Sequence, residues 1–262
     1  AEQGLNIDSI LRLTGRVSLD ENARAPKSCI ELSVRGNPHD KEGMQSRFLQ
    51  LSTELGMDIS FQKDDMFRRS RRLICFDMDS TLIETEVIDE LAERAGVGAE
   101  VRAITESAMR GEIDFAESFR RRVAMLKGLD ESVMADIAER LPFTEGLDRL
   151  MHVLKRLGFK TAILSGGFTY FGNYLRRKYG FDYVYANELE IEDGKLTGRY
   201  LGDIVDGKRK AELLKLISQV ENVAKPKVKA TAGQSLSTVG LDGILYFLGY
   251  KDSYIDDKQF KL

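Results

Sequence analysis

Two short predicted strands, the first of them apolar throughout, lead straight into polar residues and constrain the fold of this chain more than any other feature. Residues 73–76 are followed by Asp77 and, two residues later, Asp79, while residues 159–164 are followed by Ser165 and two glycines. A strand that is apolar on both faces and carries polar residues at its carboxyl end is typical of an open parallel sheet. A helical pattern separates the two segments, so we expect a doubly wound α/β domain.

The segment between these strands has its own character. Apolar residues recur at helical spacing throughout residues 87–141, and the pattern ends near Pro142. We therefore predict an all-α insertion, or cap, after the first strand of the α/β domain. Further along, Asp193 and Gly194 separate two alternating segments and indicate a β-hairpin.

The first 65 residues show a different pattern. Alternating apolar residues predict strands near residues 11–19, 30–34 and 57–61. A four-three-four apolar spacing that starts at Met44 predicts a helix that ends at Gly56. This order predicts a small α+β layer of a helix on an antiparallel sheet, incomplete at its start.

A polar stretch separates the two regions. Residues 64–72 include four arginines, which we interpret as a solvated linker rather than an anion-binding patch. We therefore expect residues 1–70 to form the α+β layer with its linker, and residues 71–262 to form the α/β domain with its cap.

Composition excludes several classes of protein. The 262 residues carry 39 basic and 42 acidic side chains, a net charge of −3, so the charge balance does not favour a nucleic acid partner. The longest apolar runs, such as residues 244–248, are far shorter than the roughly 20 residues of a membrane span, and the sequence opens on no secretory leader. Cys29 and Cys75 stand in unrelated segments and suit a reducing compartment. We expect a cytoplasmic protein that binds neither nucleic acid nor a membrane.

The candidate chemical residues follow the two predicted strands. Asp77 and Asp79 would point to the same side of an extended backbone, and a hard divalent cation would relieve their repulsion, although many turns also contain such a pair. Ser165 and its glycines would form an anion-binding cradle at a helix start or, equally, a plain helix N-cap. Lys210 on a later predicted helix would supply a fixed positive charge, unless it is merely solvated.

Together these motifs resemble three of the four motifs of the haloacid dehalogenase superfamily. Within it, the chain is similar to the phosphatases that act on O-phospho-L-serine, over nearly all of residues 72–220 and again in residues 224–248. The segments that carry the similarity are residues 77–81, 86–90, 108–109, 120–123, 144–146, 165–168 and 193–198, with Phe115. The resemblance implies a Rossmann-like three-layer α/β domain. The amino-terminal region resembles an ACT domain, a ferredoxin-like module that often senses amino acids, without its opening strand and most of its first helix.

The resemblance implies a role for each candidate residue. Asp77 would attack phosphorus in line and form an aspartyl phosphate, while Asp79 would protonate the departing serine oxygen and later deprotonate the attacking water. Both carboxylates would hold a Mg²⁺ ion, which takes oxygen ligands and bridges to the substrate phosphate. The Ser165 hydroxyl, the Gly166 N–H group and the Lys210 ammonium group would hold the phosphoryl oxygens.

The same resemblance implies that the helical cap selects the substrate. Glu86 would bind the ammonium group of phosphoserine and Arg122 its carboxylate, while Met109 and Phe115 would close an apolar wall against water. At about 4 Å and an effective dielectric near 20, each charge contact carries about 4 kcal/mol before desolvation is subtracted. Taken singly, Met109 and Phe115 fit helix-core positions and Arg122 fits a solvated charge, but their joint spacing favours a substrate site.

The fourth motif of the superfamily, Gly-Asp-Gly and then Asn-Asp after a strand, does not occur in this chain. Val223 joins Ala224 directly, where a strand, an acidic loop and a helix of roughly 25 to 30 residues should intervene. The strand would lie beside the one that ends at Asp77, and its loss would expose apolar surface there. We hypothesise that the molecule contains further residues at this junction and before Ala1, which the mass of the intact chain would test. If the deletion is real, we expect negligible activity.

Three functions fit the sequence. The first is Mg²⁺-dependent hydrolysis of O-phospho-L-serine to L-serine and phosphate, the last step of serine biosynthesis, with an amino-acid effector at the ACT-like region. The second is a phosphotransferase that passes the phosphoryl group to another alcohol, because sequence cannot separate water from alcohol acceptors. The third is an inactive amino-acid-sensing protein, which a true absence of the fourth motif would produce. By analogy with such modules, a homodimer through an antiparallel sheet edge is also expected.

Overall fold

The computed structural model of the chain describes residues 3–14, 28–62, 64, 73–221 and 240–252. The chain divides into two compact units. One consists of Ala1–Ser70, Glu145–Val153 and Lys229–Leu262, and the other of Arg71–Thr144 and Leu154–Val228. The predicted linker arginines, the junction at Val223 and the end of the first predicted strand lie outside the described residues. The predicted domain division at residue 70 stays a prediction.

The first unit contains a two-stranded antiparallel sheet and a helix. β1 (Asn6–Arg12), which begins before the predicted start, pairs with β2 (Ile30–Arg35). The following helix, α1 (Lys41–Leu55), begins at the N-cap Asp40, whose carboxylate accepts the N–H of Gly43 at 2.9 Å. The predicted order of strand, strand and helix is confirmed over these residues, while the assignment to an ACT domain stays a prediction.

Residues 57–62, predicted to contain a third strand, form no strand with the described part of the chain. The N–H of Ile59 donates to the Ser52 hydroxyl at 3.2 Å, and the ring of Phe61 lies 6.3 Å from the ring of Phe48. These contacts attach the segment to α1 through side chains. The prediction was wrong because alternation indicates an extended segment without identifying what it packs against.

A four-stranded sheet forms the centre of the second unit. Its order is β3 (Leu73–Phe76), β4 (Lys160–Phe168), β5 (Tyr183–Glu192) and β6 (Lys195–Leu201). The first three strands run parallel, and β6 pairs antiparallel with β5. Asp193 and Gly194 turn the hairpin with left-handed φ angles of 50° and 73°. The predicted α/β fold with a parallel sheet is confirmed, as is the hairpin.

The strands of this sheet differ in burial. Residues 161–165 of β4 are all buried, as expected for a central strand of a parallel sheet that is covered on both faces. Leu73, Ile74 and Cys75 of β3 are only half-buried, and among the described residues β3 pairs with β4 alone. Apolar side chains of β3 are therefore partly exposed at the edge where the sequence predicts the strand of the fourth motif.

Four helices form the insertion between β3 and β4: α2 (Val87–Ala95), α3 (Gly98–Met109), α4 (Phe115–Ala124) and α5 (Ser132–Glu139). They confirm the all-α insertion predicted over residues 87–141. Their core includes Leu91, Phe119 and Met134, each at most 2% exposed. Phe119 also packs edge-on against Tyr200 of β6, with ring centroids 5.3 Å apart. This contact anchors the insertion on the hairpin.

The remaining helices are α6 (Leu147–Arg156), α7 (Thr169–Tyr179), α8 (Gly207–Val220) and α9 (Gly243–Phe247). In the first unit, Arg149 of α6 pairs with Asp242 at 2.7 Å and with Asp252 at 2.8 Å. Tyr246 of α9 donates to the same Asp252 at 2.8 Å, so one guanidinium group holds both ends of residues 240–252. No helix in the described part of the chain is long and apolar enough to cross a membrane.

A charge network at the start of β5 joins the amino ends of β4 and β5. Asp182 Oδ2 accepts the N–H and the hydroxyl of Thr161 at 2.9 and 3.1 Å, and the ammonium group of Lys155 at 2.8 Å. Burial alone would raise the pKa of this carboxyl. The three donors outweigh burial and hold the pKa of Asp182 below its ordinary value.

We expect Asp182→Asn to lower the free energy of unfolding by about 1–3 kcal/mol near pH 7, because the donors lose a charged acceptor. Since the folded-state pKa is the lower one, this stabilisation is present above about pH 4 and is lost as the pH falls through the folded-state pKa. Urea unfolding near pH 7 and near pH 3 measures the difference. Asp136→Asn, which removes an exposed pair with Arg94 at 3.9 Å, is the control and should change little. An equal loss at both pH values would contradict the assignment.

Candidate active site

The chain turns sharply after β3 and brings two carboxylates to the carboxyl edge of the sheet. The carbonyl oxygen of Met78 accepts the N–H groups of residues 81–83 at 2.8 to 3.2 Å, and the Met78 side chain is fully buried. Ser80 adopts a left-handed φ of 54° within this turn. Because Met78 anchors the turn, Asp77 and Asp79 on either side of it line the same cavity.

That cavity has a volume of about 190 Å³. The predicted site residues that line it are Asp77, Asp79, Glu86, Phe115, Arg122, Ser165, Gly166 and Lys210. Met109, at the end of α3, is 83% exposed and does not line the cavity, so its part in an apolar wall stays a prediction. The structure thus gathers residues from β3, β4, α8 and the helical insertion around one space.

The serine and its two glycines lie inside β4 and not at a helix start. The pairing of β4 with β5 shifts between Leu164 and Phe168, so the residues between them bulge out of the ladder. Helix α7 begins at Thr169, with Phe168 as its N-cap. The prediction that the glycines open a helix, and the alternative that Ser165 is an N-cap, were therefore wrong. Ser165 is fully buried, and its Oγ accepts the N–H of Gly167 at 3.0 Å, which leaves the hydroxyl proton for an anion in the cavity.

Gly167 lies directly against the second carboxylate. A Cβ atom at this position would be 2.4 Å from Asp79 Oδ2 and 2.7 Å from Met78 Cε. Both distances are far below van der Waals contact. The absence of a side chain at residue 167 therefore allows the bulge of β4 and the turn after β3 to approach each other.

Lys210 reaches the first carboxylate from α8. This helix begins at the N-cap Asp206, whose Oδ1 accepts the N–H of Arg209 at 2.8 Å. Lys210 follows in the first turn, and its Nζ lies 2.5 Å from Asp77 Oδ2. The lysine is therefore not merely a solvated surface residue, because it places a positive charge beside Asp77 in the cavity.

The insertion contributes a negatively charged side chain, a positively charged side chain and an aromatic ring. Glu86, immediately before α2, accepts the hydroxyl of Ser80 at 2.7 Å. Arg122 of α4 is half-buried and lines the same cavity. The Phe115 ring lies over the β4 bulge, since a Cβ atom at Gly166 would be 3.1 Å from Phe115 Cζ. Opposite charges and an apolar surface thus face the two carboxylates.

Burial sets the electrostatics of the cavity. Burial, with the negative charge of Glu86, raises the pKa of Asp79 to about 7, while the N–H of Val87, which donates to Asp79 Oδ1 at 3.3 Å, opposes this shift. Burial also lowers the pKa of Arg122, against the surrounding carboxylates, of which Asp89 has the largest effect. Asp79 can therefore change its protonation state near neutral pH.

The two carboxylates fit a magnesium ion in the chemistry of their donor atoms. Mg²⁺ binds hard oxygen ligands and is usually held by one or two carboxylates, several waters and substrate phosphates. Asp77 and Asp79 offer such carboxylates on one cavity wall. Within the described ranges, no group of three or more His, Cys, Asp or Glu side chains could hold a metal ion, and the sequence has no Gly-Asp-Gly segment to add a further ligand.

Sequence reasoning missed one buried polar residue behind the cavity. Asn187 of β5 contacts the β4 bulge and the loop before α8 through its side chain. The only signal in the sequence is an asparagine two residues before the first segment of the predicted hairpin, which begins at Leu189. Its partners lie about 20 residues away on either side, so no local pattern could identify its role.

Comparison with known proteins shows what this chain is similar to. The profile of the haloacid dehalogenase-like hydrolases matches residues 74–232. The phosphoserine phosphatase of Archaeoglobus fulgidus is 46% identical over 201 residues, which cover 77% of this chain and 58% of that protein. The phosphoserine phosphatase of Saccharomyces cerevisiae is 39% identical over 268 residues, which cover 91% of this chain and 86% of that protein.

A solved structure is similar in both sequence and fold. It is described as a phospho-aspartyl intermediate analogue of phosphoserine phosphatase, is 41% identical and superposes with a TM-score of 0.54, covering 58% of this chain and 73% of that one. The chain spans less than two thirds of the length of several curated relatives that it matches, including the protein from Archaeoglobus fulgidus.

Proposed function

This chain belongs to the haloacid dehalogenase-like hydrolase family, and on that premise we propose that it hydrolyses O-phospho-L-serine to L-serine and phosphate through an aspartyl phosphate at Asp77. One observation carries the proposal: Asp77 Oδ2 lies 2.5 Å from Lys210 Nζ, in a cavity shared with Ser165. A carboxylate placed among anion-binding groups is what phosphoryl transfer to a protein side chain needs. The names of the relatives from Archaeoglobus fulgidus and Saccharomyces cerevisiae support phosphoserine as the substrate.

In the first step, a carboxylate oxygen of Asp77 forms a bond to phosphorus while the bond from phosphorus to the serine oxygen breaks. Asp79 gives its proton to that departing oxygen, which its raised pKa allows near neutral pH. The Lys210 ammonium group, the Ser165 hydroxyl and the Gly166 N–H group bind the phosphoryl oxygens. L-serine then leaves, and Asp77 carries the phosphoryl group as a mixed anhydride.

In the second step, water replaces the aspartyl oxygen on phosphorus. Asp79, now a carboxylate, takes a proton from this water as it attacks. The bond between phosphorus and the Asp77 oxygen breaks, so phosphate leaves and both side chains return to their starting states. One buried carboxyl thus serves as acid and then as base, which requires a pKa close to the working pH.

Asp77 would hold a magnesium ion through a carboxylate oxygen, and Asp79 would add an oxygen ligand while its carboxyl group is ionised. When bound, such an ion neutralises charge between the protein carboxylates and the phosphate. The protein's own part is to bring both carboxylates into one cavity and to place the positive charge of Lys210 beside Asp77.

Selection of an amino acid phosphate follows from the charges of the insertion. Glu86 would bind the ammonium group of the substrate and Arg122 its carboxylate, since both line the cavity that holds Asp77. Phe115 lines the same cavity and is 44% exposed, so it would offer an apolar surface beside this charged pair. A phosphate ester without the amino acid charges would lose both contacts, so we propose that phosphoserine is preferred over simple alkyl phosphates.

A second candidate function is an amino-acid-binding protein without turnover. The observation that favours it is the missing fourth motif, since the residues that the structure describes contain no group of three or more His, Cys, Asp or Glu side chains that could hold a metal ion. We also propose that the amino-terminal region has a regulatory role and binds an amino-acid effector. A protein with either function would bind the amino acid part of phosphoserine, but only the hydrolase would release phosphate.

Release of inorganic phosphate from phosphoserine tests the proposal, with Mg²⁺ in one series and a chelator in the other. We expect turnover with Mg²⁺ and none with the chelator. Binding of phosphoserine without phosphate release would support the second candidate instead. A phosphotransferase would form a new phosphate ester when a second alcohol is added, and that product would contradict hydrolysis as the main reaction.

We expect Gly167→Ala to lower kcat for phosphoserine by about 100-fold, because the new methyl group must displace the Asp79 carboxylate by roughly an ångström. Steady-state kinetics with a melting curve measure the effect. Gly172→Ala is the matched control, since its Cβ atom would meet Val184 Cγ1 at 2.6 Å outside the cavity. Both variants should melt earlier than the parent chain. If kcat falls equally in Gly167→Ala and Gly172→Ala, the close contact between Gly167 and Asp79 has no specific role.

A further inference from the structure

The bulge in β4 removes ladder hydrogen bonds from the middle of the sheet. Leu164 pairs with Tyr185, and the next register pair is Phe168 with Asn187. Three residues of β4 therefore face a single residue of β5. Carbonyl groups in such a bulge lose their backbone partners, and a buried carbonyl needs another donor.

The side chain of Asn187 supplies that donor. Its Nδ2 donates to the carbonyl oxygen of Gly166 at 2.7 Å and to that of Gly167 at 3.3 Å. Asn187 is 1% exposed, so these bonds form away from bulk water. In such surroundings a hydrogen bond is stronger and fixes geometry more firmly than at the surface. The carboxamide thus holds the glycine pair of the cradle from behind.

The same side chain also reaches the loop that leads into α8. Its Oδ1 accepts the N–H of Val205 at 2.8 Å, and Val205 is buried in a core cluster with Leu213 of that helix. Asp206 follows directly, and its carbonyl oxygen accepts the N–H of Lys210 at 2.9 Å. The position of the Lys210 side chain therefore depends on a loop that Asn187 fixes.

From these contacts we infer that Asn187 is a positioning residue for phosphoryl transfer. One carboxamide joins the Gly166 bulge to the start of α8, so that Ser165 and Lys210 meet the same phosphoryl group. The inference rests on the proposed function, because it assigns Asn187 a role toward that phosphate. Asn187 itself acts through its neighbours, since its side chain bonds to backbone groups that form the cavity wall.

Only a side chain with both a donor and an acceptor can make this link. Aspartate would keep the bond to Val205 but would turn a carboxylate oxygen toward the two glycine carbonyls. Serine would be too short to span both partners, although its small size limits the disturbance of the core. Asn187→Asp and Asn187→Ser thus break the link in different ways, and the second variant serves if the first does not fold.

Thr161→Val provides a matched control. Thr161 is fully buried on the same strand, β4, and its hydroxyl donates to Asp182 at 3.1 Å, at the end of the strand away from the cavity. The Thr161→Val variant therefore loses one buried side-chain hydrogen bond and leaves Ser165 and its two glycines unchanged. If Asn187 were only structural, its variants would resemble this control in their kinetics and in their affinity for phosphate.

Four quantities separate positioning from stability: the melting temperature, kcat for phosphoserine, KM for phosphoserine and the affinity for inorganic phosphate. We expect all of these variants to melt earlier than the parent chain, and the Asn187 variants to melt earlier than Thr161→Val, because they lose at least two buried hydrogen bonds instead of one. Only the Asn187 variants should lose about 100-fold in kcat/KM, mostly through kcat, and about tenfold in phosphate affinity. Equal kinetics and equal phosphate affinity in all variants would overturn the inference.

The same data distinguish failure of the inference from failure of the proposed function. If the parent chain binds inorganic phosphate in an Asn187-dependent way but does not hydrolyse phosphoserine, the positioning role stands and the hydrolase proposal fails. If it hydrolyses phosphoserine and the Asn187 variants match the control, the hydrolase proposal stands and the positioning role fails. A parent chain that neither binds phosphate nor hydrolyses phosphoserine would overturn both.

Discussion

Asp77→Asn is expected to lower phosphoserine turnover by about 10⁴-fold or more, because a neutral amide cannot accept the phosphoryl group. The amide fills nearly the same volume, and Lys210 keeps a hydrogen-bond acceptor at this position. The melting temperature should therefore change little, while kcat falls by this large factor. Steady-state kinetics at a raised protein concentration, which makes slow turnover detectable, and a melting curve measure the two effects.

Asp203→Asn is the control for this prediction, since it makes the same chemical change at an exposed carboxylate in the loop before α8. We expect its kinetics to match the parent chain. An Asp77→Asn protein that retains even one-tenth of the parent activity would contradict the nucleophile assignment. Slow recovery of activity on storage would indicate deamidation of the new asparagine, and mass measurement of residue 77 would detect it.

Lys210→Met should lower kcat for phosphoserine by about 10²- to 10³-fold, the usual effect of removing one group that stabilises developing negative charge. The ammonium group lies 2.5 Å from Asp77 Oδ2, so its loss also leaves that carboxylate facing an anionic substrate without compensation. Lys210→Arg restores the charge with a planar group of different reach and should give an intermediate rate.

Lys208→Met is the matched control because Lys208 lies on the same turn of α8 and is exposed. Its removal changes the net charge by the same amount without changing the cavity. A similar fall in kcat for both methionine variants would show that the overall charge of the protein matters and not the pair of Lys210 with Asp77.

Much of the fold follows from local patterns. The insertion predicted over residues 87–141 contains helices from Val87 to Glu139. The sequence could predict it because an apolar spacing of three and four residues is a property of each helix alone. The hairpin at Asp193 was predicted for the same reason, since its turn residues are adjacent. In contrast, the bulge in β4 depends on Asn187, about 20 residues away, and no period within β4 indicates it.

The candidate site was predictable where its residues belong to motifs. Asp77, Asp79, Ser165 and Lys210 lie around one cavity, as expected from strand ends that meet at one edge of a parallel sheet. The role of Met109 stays a prediction, since its spacing places it in a helix but cannot say whether the end of that helix points into the cavity.

Trapping the phosphorylated protein tests the central claim most directly. Phosphoserine labelled with ³²P is mixed with the chain in the presence of Mg²⁺ and quenched in acid within one turnover, and the labelled peptide is then mapped. We predict that the label is on Asp77 and that Asp77→Asn carries none. Release of labelled phosphate with no label at Asp77, or label on another residue, would contradict the account.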